Sequence, residues 1–363
     1  MKNILFITPF DINKRDKSNA AAANRIDLIC KGLNYNIKEY TYNFYPLFSE
    51  YKNIFKYIHL IYKYIRLYTV FLNKYDYIYV YDEIWFPYLY RIASLCKCKI
   101  IIERCEFPLE LISAHSYSHV RKFRHNRFMS SLKYASIFIT CSNALIDFYK
   151  IWLNKECHIL NIPLIVDIDE FSMNNQVKYN SKAYISYCGN MGNNKDGVDI
   201  LIQAFAKFQK IHNNYRLRLI GGAPLHEMEQ LKLLVEKLGV KNAVDFLGYM
   251  PHQELVEELK QSSLLTLARP ANKQAEGGMP SKLAEYLATG LPTLVTNVGE
   301  INYYVKDGID CYLSIPNSIS DFAERMDYAI SHPQESSIIG ERGKLTVKQF
   351  DYKNQTKQFA SLL

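Results

Sequence analysis

Short apolar segments with the period of a strand alternate with longer segments of helical period along the chain. In the first half, the apolar segments predict five strands, at 3–9, 37–42, 77–81, 99–104 and 137–140. Helical patterns fall at 20–33, 50–74, 87–95, 120–134 and 144–152. This alternation is typical of a parallel sheet that is covered by helices.

The same alternation restarts after a polar segment at 172–182. Strands are predicted at 184–188, 217–220, 244–247, 264–267 and 292–296, with helices at 198–212, 227–238 and 253–261. We therefore expect an α/β chain of two Rossmann-like domains facing across a cleft. The predicted limits are 1–171 for the first domain, 172–182 for a linker, 183–345 for the second domain and 346–363 for a tail helix.

Residues 275–300, AEGGMPSKLAEYLATGLPTLVTNVGE, carry the clearest chemical signal. Glu276 precedes a Gly277-Gly278 turn, Pro280 suits the first position of a helix, and Gly290 suits its end. A helix that starts at such a turn aims unpaired N–H groups and a positive dipole end at an anion. Glu285, inside the helix, is a second candidate carboxylate of the site. The alternative is that it forms an ordinary exposed ion pair with Lys282, three residues earlier.

This segment resembles the donor-binding motif of family-4 glycosyltransferases, which have the GT-B fold. The resemblance implies that Glu276 contacts the donor sugar and that Glu285 binds the ribose hydroxyls of a sugar nucleotide. The family's motif has seven residues between its glutamates, whereas eight separate them here. Further donor contacts are implied for the residues between the glutamates, namely Gly277, Gly278, Met279, Pro280 and Lys282.

A second segment, ISYCGNMGNNKDGVDILIQAF at 185–205, resembles the strand, glycine loop and basic residue of the family's donor domain. The resemblance implies that Gly189 and Asn190 line the donor site and that Lys195 offsets the charge of the leaving diphosphate. Asn190 stands where the family has an arginine, so more of the positive charge must come from Lys195 and Arg269. A solvated loop lysine is the alternative for Lys195.

The first half resembles the family more weakly. Members often place a histidine near the reacting sugar carbon, where this chain has Cys105 and Glu106. A glutamate accepts a proton from an acceptor hydroxyl better than an apolar thiol does, so Glu106 is the candidate catalytic group. A salt bridge between Glu106 and Arg104 is the alternative. Ser142 or Asn143 is predicted to cap the following helix.

A competing motif is Asp167-Ile-Asp169, the D-x-D of metal-dependent glycosyltransferases of the other major fold. Its surroundings, LNIPLIVDIDEF, resemble instead the segment that closes the first domain of GT-B enzymes. We therefore expect no metal and no other cofactor, with the nucleotide-diphosphate sugar as a co-substrate.

Positive charge is concentrated in the first half. Residues 1–170 have 23 Lys+Arg against 16 Asp+Glu, or +7, and the remainder has 21 against 20, or +1. Within the predicted helix at 50–74, basic side chains recur at spacings that place them within an arc of ~80°. They are Lys52, Lys56, His59, Lys63 and Arg66. This stripe suits an anionic membrane surface, with an ordinary solvated face as the alternative, and no nucleic-acid motif accompanies it.

No apolar run reaches the ~18–20 residues that span a bilayer, and the eight cysteines lack C-x-x-C spacing, which is typical of a reduced cytoplasmic protein. The resemblance implies a retaining hexosyl- or N-acetylhexosaminyltransferase of bacterial surface polysaccharide biosynthesis. Its acceptor would be a glycan or a polyprenyl-linked glycan, at the inner face of the cytoplasmic membrane. A GT-B nucleotide-sugar epimerase and a non-catalytic glycosyltransferase-like partner subunit are the alternatives.

Overall fold

The computed structural model describes residues 2–12, 20–46, 62, 75–82, 90, 93, 96–108, 119–172, 183–192 and 195–363. The chain divides into two compact units, one of Met1–Ile165 with Tyr352–Leu363 and one of Val166–Asp351. These limits differ from the expected ones, because the first boundary falls after Ile165 and the last twelve residues return to the first unit. The expected linker at 172–182 lies almost wholly outside the described residues.

The first unit contains a six-stranded parallel sheet in the order β2-β1-β3-β4-β5-β6. Its strands are β1 (Lys2–Thr8), β2 (Tyr40–Pro46), β3 (Tyr77–Tyr81), β4 (Lys99–Glu103), β5 (Ile137–Thr140) and β6 (His158–Asn161). The central strands are continuous apolar segments because helices cover both faces of such a sheet. The described helices are α1 (Ala20–Asn36), α2 (His119–Ser131) and α3 (Asn143–Tyr149).

Five of these strands are where the hydrophobic pattern predicts them, to within three residues at their starts. The sixth, β6, was not predicted. Its sequence HILN has a single fully buried side chain, Leu160, because the strand lies at the edge of the sheet. The apolar signal of such a strand is too short to be distinguished from a loop.

The second unit also contains a six-stranded parallel sheet, in the order β12-β11-β10-β7-β8-β9. Its strands are β7 (Tyr184–Asn190), β8 (Arg216–Gly222), β9 (Val244–Gly248), β10 (Leu264–Leu267), β11 (Thr293–Thr296) and β12 (Tyr312–Ser314). The two-domain α/β architecture with Rossmann-like parallel sheets is therefore confirmed. The last strand, β12, was not predicted.

Helices of the second unit connect and cover its strands. They are α4 (Ile168–Ser172), α5 (Val198–Phe208), α6 (Leu225–Lys237), α7 (His252–Leu259), α8 (Lys273–Gly277), α9 (Ser281–Thr289), α10 (Ile301–Tyr304), α11 (Ile319–Ser331) and α12 (Pro333–Thr346). The carboxyl end of β7, the loop after β10 and the start of α9 all belong to this unit. In open parallel sheets, ligand sites form beyond the carboxyl ends of the strands.

The expected tail helix at 346–363 is divided into three parts. A 3₁₀ turn, Val347–Phe350, is followed by α13 (Tyr352–Gln355) and α14 (Lys357–Leu362). These last two helices pack against α1, where Gly32 lies so close that a Cβ there would fall 2.2 Å from Thr356 Oγ1. Tyr77 also donates a hydrogen bond of 2.5 Å to the carbonyl of Leu363. Burial of Phe359 in the core of the first unit explains why the end of the chain returns there.

Candidate functional site

The glycine turn of the second unit lies between two helices. Asn272 caps the start of α8 by accepting a hydrogen bond of 2.8 Å from the Ala275 amide. This short helix ends at Gly277, the first glycine of the turn. Pro280 is the residue just before the first turn of α9, one position earlier than predicted. Gly290 ends α9 with a φ of 76°, as its sequence position predicts.

The two glutamates of the motif meet different surroundings. Glu276 is in α8, where its carboxylate is 53% exposed and lies 2.7 Å from Lys273 Nζ. Glu285 is in α9 and is half-buried. Burial raises the pKa of the Glu285 carboxyl above its ordinary value, and the nearby His252 and Lys282 act in the opposite direction. Desolvation of the Glu285 carboxylate thus outweighs the attraction of the two nearby cationic side chains.

Lys282 does not form the surface pair with Glu285 that was the alternative interpretation of this helix. Its Nζ lies 2.9 Å from Asp196 Oδ2, in an ion pair whose side chains are 18% and 3% exposed. Tyr187 OH lies 2.9 Å from the same carboxylate oxygen. Burial by itself would raise the pKa of Asp196, but Lys282 and Arg269 outweigh it and the pKa is lowered.

Arg269 is held beneath the glycine turn. It is 2% exposed, and its Nη1 donates a hydrogen bond of 2.9 Å to the carbonyl of Gly278. Its own carbonyl accepts a hydrogen bond of 2.6 Å from Thr296 Oγ1, which ties β10 to β11 beside the turn. Among the residues that the structure describes, the buried Nε of Arg269 has no hydrogen-bond acceptor.

The carboxyl end of β7 and the loop that follows it are shaped by Gly189 and by polar groups. Gly189 has a φ of 154°, a conformation that favours glycine. Asn190 Oδ1 accepts a hydrogen bond of 2.8 Å from the Gly192 amide, which closes a turn in this loop. Lys195, the predicted partner of the diphosphate, is half-buried, and its amide donates to the Gly192 carbonyl at 3.4 Å.

A second charged group adjoins Glu285. His252, at the start of α7, places Nε2 2.9 Å from Glu170 Oε2 on α4. The charges of both His252 and Glu170 act on Glu285. Neither residue was predicted, because nothing in the local sequence shows that α4, α7 and α9 meet.

Asp196 was also not predicted. It follows Lys195 in a loop rich in asparagine and glycine, where an acid suggests a solvated turn. In the structure the adjacent Gly197 has a φ of 63°, and a Cβ there would fall 2.0 Å from the Ala268 carbonyl oxygen. The loop therefore packs against the end of β10, a contact that the local sequence does not reveal.

The D-x-D motif contributes to a helix start. Asp167 is 2% exposed, and its Oδ1 accepts a hydrogen bond of 3.1 Å from the Asp169 amide at the first turn of α4. Within the described part of the chain, no group of three or more His, Cys, Asp or Glu side chains is arranged to hold a metal ion.

In the first unit, Glu106 lies where the loop after β4 meets α3. Its carbonyl accepts hydrogen bonds from Tyr149 OH at 3.0 Å and from Arg104 Nη2 at 3.5 Å. The Arg104 guanidinium forms an ion pair with the Asp82 carboxylate. A hydrogen bond with Cys141 and burial together raise the pKa of the Cys105 thiol well above its ordinary value, which disfavours the thiol as a base.

Ser142 caps α3, as predicted, by accepting a hydrogen bond of 3.2 Å from the Leu145 amide. The basic stripe of Lys52, Lys56, His59, Lys63 and Arg66 lies outside the described residues. None of the described helices is long and apolar enough to cross a membrane.

Comparison with known proteins shows a family match that lies within the second unit. The sequence profile of the family described as Glycosyl transferases group 1 matches residues 169–346. This chain therefore carries a group 1 glycosyltransferase domain. The family resemblance that was predicted from the residues around Glu276 and Glu285 is confirmed.

Curated relatives match part of this chain and are longer than the matched part. An exopolysaccharide phosphotransferase of Streptomyces coelicolor is 36% identical over 131 residues, which are 35% of this chain and 13% of that protein. A colanic acid biosynthesis glycosyltransferase, WcaL of Salmonella typhimurium, is 25% identical over 174 residues, or 47% of this chain and 42% of that protein. The chain thus matches less than half the length of each.

Solved structures match over the whole chain and show the GT-B fold. A sucrose-phosphate synthase of Thermosynechococcus elongatus has a TM-score of 0.77 at 15% identity, covering 100% of this chain and 98% of that one. HepE of Anabaena, solved with UDP and glucose, has a TM-score of 0.73 at 15% identity, covering 100% and 99%. The predicted fold is therefore confirmed.

Proposed function

We propose that this protein transfers a sugar from a nucleotide-diphosphate sugar to a glycan or lipid-linked glycan with retention of configuration. The observation that carries the proposal is the charge arrangement of the group 1 domain. Arg269 Nη1 donates to the Gly278 carbonyl in the glycine turn that leads into the N-terminus of α9. A cation beside a helix N-terminus suits a diphosphate.

The donor would lie with its diphosphate against this turn and its ribose hydroxyls on Glu285. Lys195 and the amides near Pro280 would stabilise the charge of the departing diphosphate, and Glu276 would hold hydroxyls of the transferred sugar. In this step the bond between the anomeric carbon and the phosphate oxygen breaks, and a bond to the acceptor oxygen forms. A phosphate oxygen takes the acceptor proton, or Glu106 does so if it reaches the acceptor.

The names of the relatives support a role in surface polysaccharide synthesis, because one concerns exopolysaccharide and another colanic acid. A hexose or N-acetylhexosamine is the donor sugar that we expect, and the cytoplasmic side of the membrane is the expected place of the reaction. A polyprenyl-linked glycan there would be the acceptor.

Thermal unfolding with a panel of nucleotide sugars tests the donor. A donor at 100 times its dissociation constant should add ~2.7 kcal/mol to the free energy of unfolding. Product formation with a glycan acceptor, followed by NMR of the anomeric proton, then tests retention. Release of nucleotide in the absence of any acceptor would support the epimerase instead, and binding without turnover would support the partner subunit.

Metal dependence is a separate prediction. Since Lys195 and the start of α9 are proposed to neutralise the diphosphate, transferase activity should persist in EDTA. The measurement is the initial rate with EDTA and with added magnesium or manganese. A rate abolished by EDTA and restored by either ion would contradict the proposed mechanism and direct attention to Asp167 and Asp169.

A further inference from the structure

Lys282 occupies a position that the surrounding backbone is shaped to accept. A Cβ on Gly189 would fall 1.8 Å from Lys282 Cε and 2.7 Å from its Nζ. The lysine side chain therefore runs directly across the backbone at the carboxyl end of β7, and any residue larger than glycine at 189 would displace it. Such a close fit is unusual for lysine, whose flexible chain normally carries its ammonium into solvent.

Asp196 holds the ammonium at the end of this path. Its carboxylate is 3% exposed and lies 2.9 Å from both Lys282 Nζ and Tyr187 OH. A buried carboxylate persists only when it is paired, and Arg269 adds a second cation whose charge acts on Asp196. Lys282 and Arg269 offset the charges of Asp196 and of the nearby Glu285, so a cation is held at the carboxyl end of β7.

We propose that Lys282, positioned by Asp196, is the residue that binds the diphosphate of the donor. It would supply the positive charge that the family resemblance leads one to expect at position 190, where this chain has an asparagine. An ammonium has three N–H donors. One N–H group donates to Asp196. Because the ammonium is tetrahedral, this contact also fixes the directions of the other two N–H groups. Asn190 brings no charge to the loop, and its Oδ1 accepts from the Gly192 amide. The cation that binds the diphosphate is thus Lys282 of α9, and Asp196 contributes by holding the Lys282 ammonium in position. This inference rests on the proposed function.

Isothermal titration of the full chain with UDP, UMP and uridine, and with the guanosine series in parallel, tests the role of Lys282. Lys282→Met keeps an unbranched chain over Gly189 and removes the charge. We expect the affinity for the nucleoside diphosphate to fall ~10- to 100-fold, the effect of a lost charge-assisted hydrogen bond. The affinity for the nucleoside should not change. Lys207→Met, on the exposed side of α5, is the matched control and should bind all three probes as wild type does.

A double-mutant cycle tests the positioning role of Asp196. Asp196→Asn should weaken diphosphate binding several-fold when Lys282 is present and have little further effect in the Lys282→Met background. Additive effects, or tighter binding by Asp196→Asn, would contradict the positioning role. Thermal unfolding reports whether each variant is folded, and Lys282→Gln replaces Lys282→Met if the latter is not.

The outcomes separate the two proposals. If wild type prefers the nucleoside diphosphate to the nucleoside and Lys282→Met retains that preference, Lys282 does not bind the diphosphate, and the proposed function stands. If wild type binds no nucleotide of these two series or of the adenosine and thymidine series, the proposed function fails and this inference fails with it.

Discussion

Glu276 and Glu285 lie in different surroundings although only eight residues separate them. The first is more than half exposed and paired with Lys273, whereas the second is half-buried near His252 and Lys282. Their identities and approximate separation could be predicted from the sequence. The burial of Glu285 could not, because it depends on the packing of α4 and α7 against α9.

Substitution of the two glutamates should separate turnover from donor binding. Glu276→Gln should lower kcat by ~10²-fold, the scale of a lost transition-state contact. Glu285→Ala should chiefly raise KM for the donor, because a ribose contact is the same in ground and transition states. Steady-state kinetics over a range of donor concentrations distinguishes them. Equal and small effects from both would mean that the motif is misaligned by its extra residue.

The pH dependence of stability gives an independent test at Glu285. Its raised pKa means that the folded chain binds more protons than the unfolded chain above the ordinary value of 4.5. The unfolding free energy therefore falls as the pH rises through that window. Glu285→Gln removes this loss, so its melting temperature without nucleotide should rise relative to wild type as the pH increases.

Thermal unfolding at several pH values between 5 and 8 makes this measurement. Glu254→Gln, at an exposed position on α7, is the control and should show a difference that does not vary with pH. A difference at Glu285 that shrinks with rising pH would show that the charged carboxylate is stabilised.

At the scale of elements, two glycines shape the carboxyl end of α9. Gly290 ends the helix in a left-handed conformation, and Gly340 of α12 packs directly against that end. A Cβ on Gly340 would fall 2.4 Å from the Gly290 carbonyl oxygen and 2.8 Å from the Leu291 carbonyl carbon. The first glycine could be predicted from the helix pattern, whereas the second has no local signal because its need for space comes from another element.

Gly340→Ala should therefore destabilise the protein although alanine is the better helix former. Helix propensity alone favours the change by ~1 kcal/mol, but the clash is with backbone atoms that cannot rotate away. We expect a net loss of ~1–3 kcal/mol, typical of overpacking, in urea unfolding. Arg342→Ala, at an exposed position in the same helix, should change stability little. A more stable Gly340→Ala variant would show that the packing of α12 on the end of α9 is loose.

At the scale of the whole molecule, the uneven charge has a predicted consequence at membranes. The first 170 residues carry +7 of the net +8, and the stripe of Lys52, Lys56, Lys63 and Arg66 belongs to this part. Attraction to an anionic surface contributes ~1 kcal/mol for each basic residue near it and is screened within about 8–10 Å at physiological salt. Sedimentation with anionic vesicles should show binding that rises with anionic lipid and falls with salt.

Conversion of these four residues to Gln tests the stripe. The variant should bind anionic vesicles more weakly than wild type, and neutral vesicles should bind neither protein. Undiminished binding by the variant would show that this face is merely solvated, and the acceptor then need not be a lipid.

The sequence by itself determined the two parallel α/β units, the donor motif and the helix from the glycine turn to Gly290. These features depend on local periodicity and on the backbone freedom of particular residues, which a pattern of neighbours encodes. Only the tertiary structure decided that Lys282 pairs with Asp196 rather than with Glu285, and that the chain after Asp351 returns to the first unit. Such contacts join residues far apart in the chain, so they depend on how whole elements pack and leave no local trace.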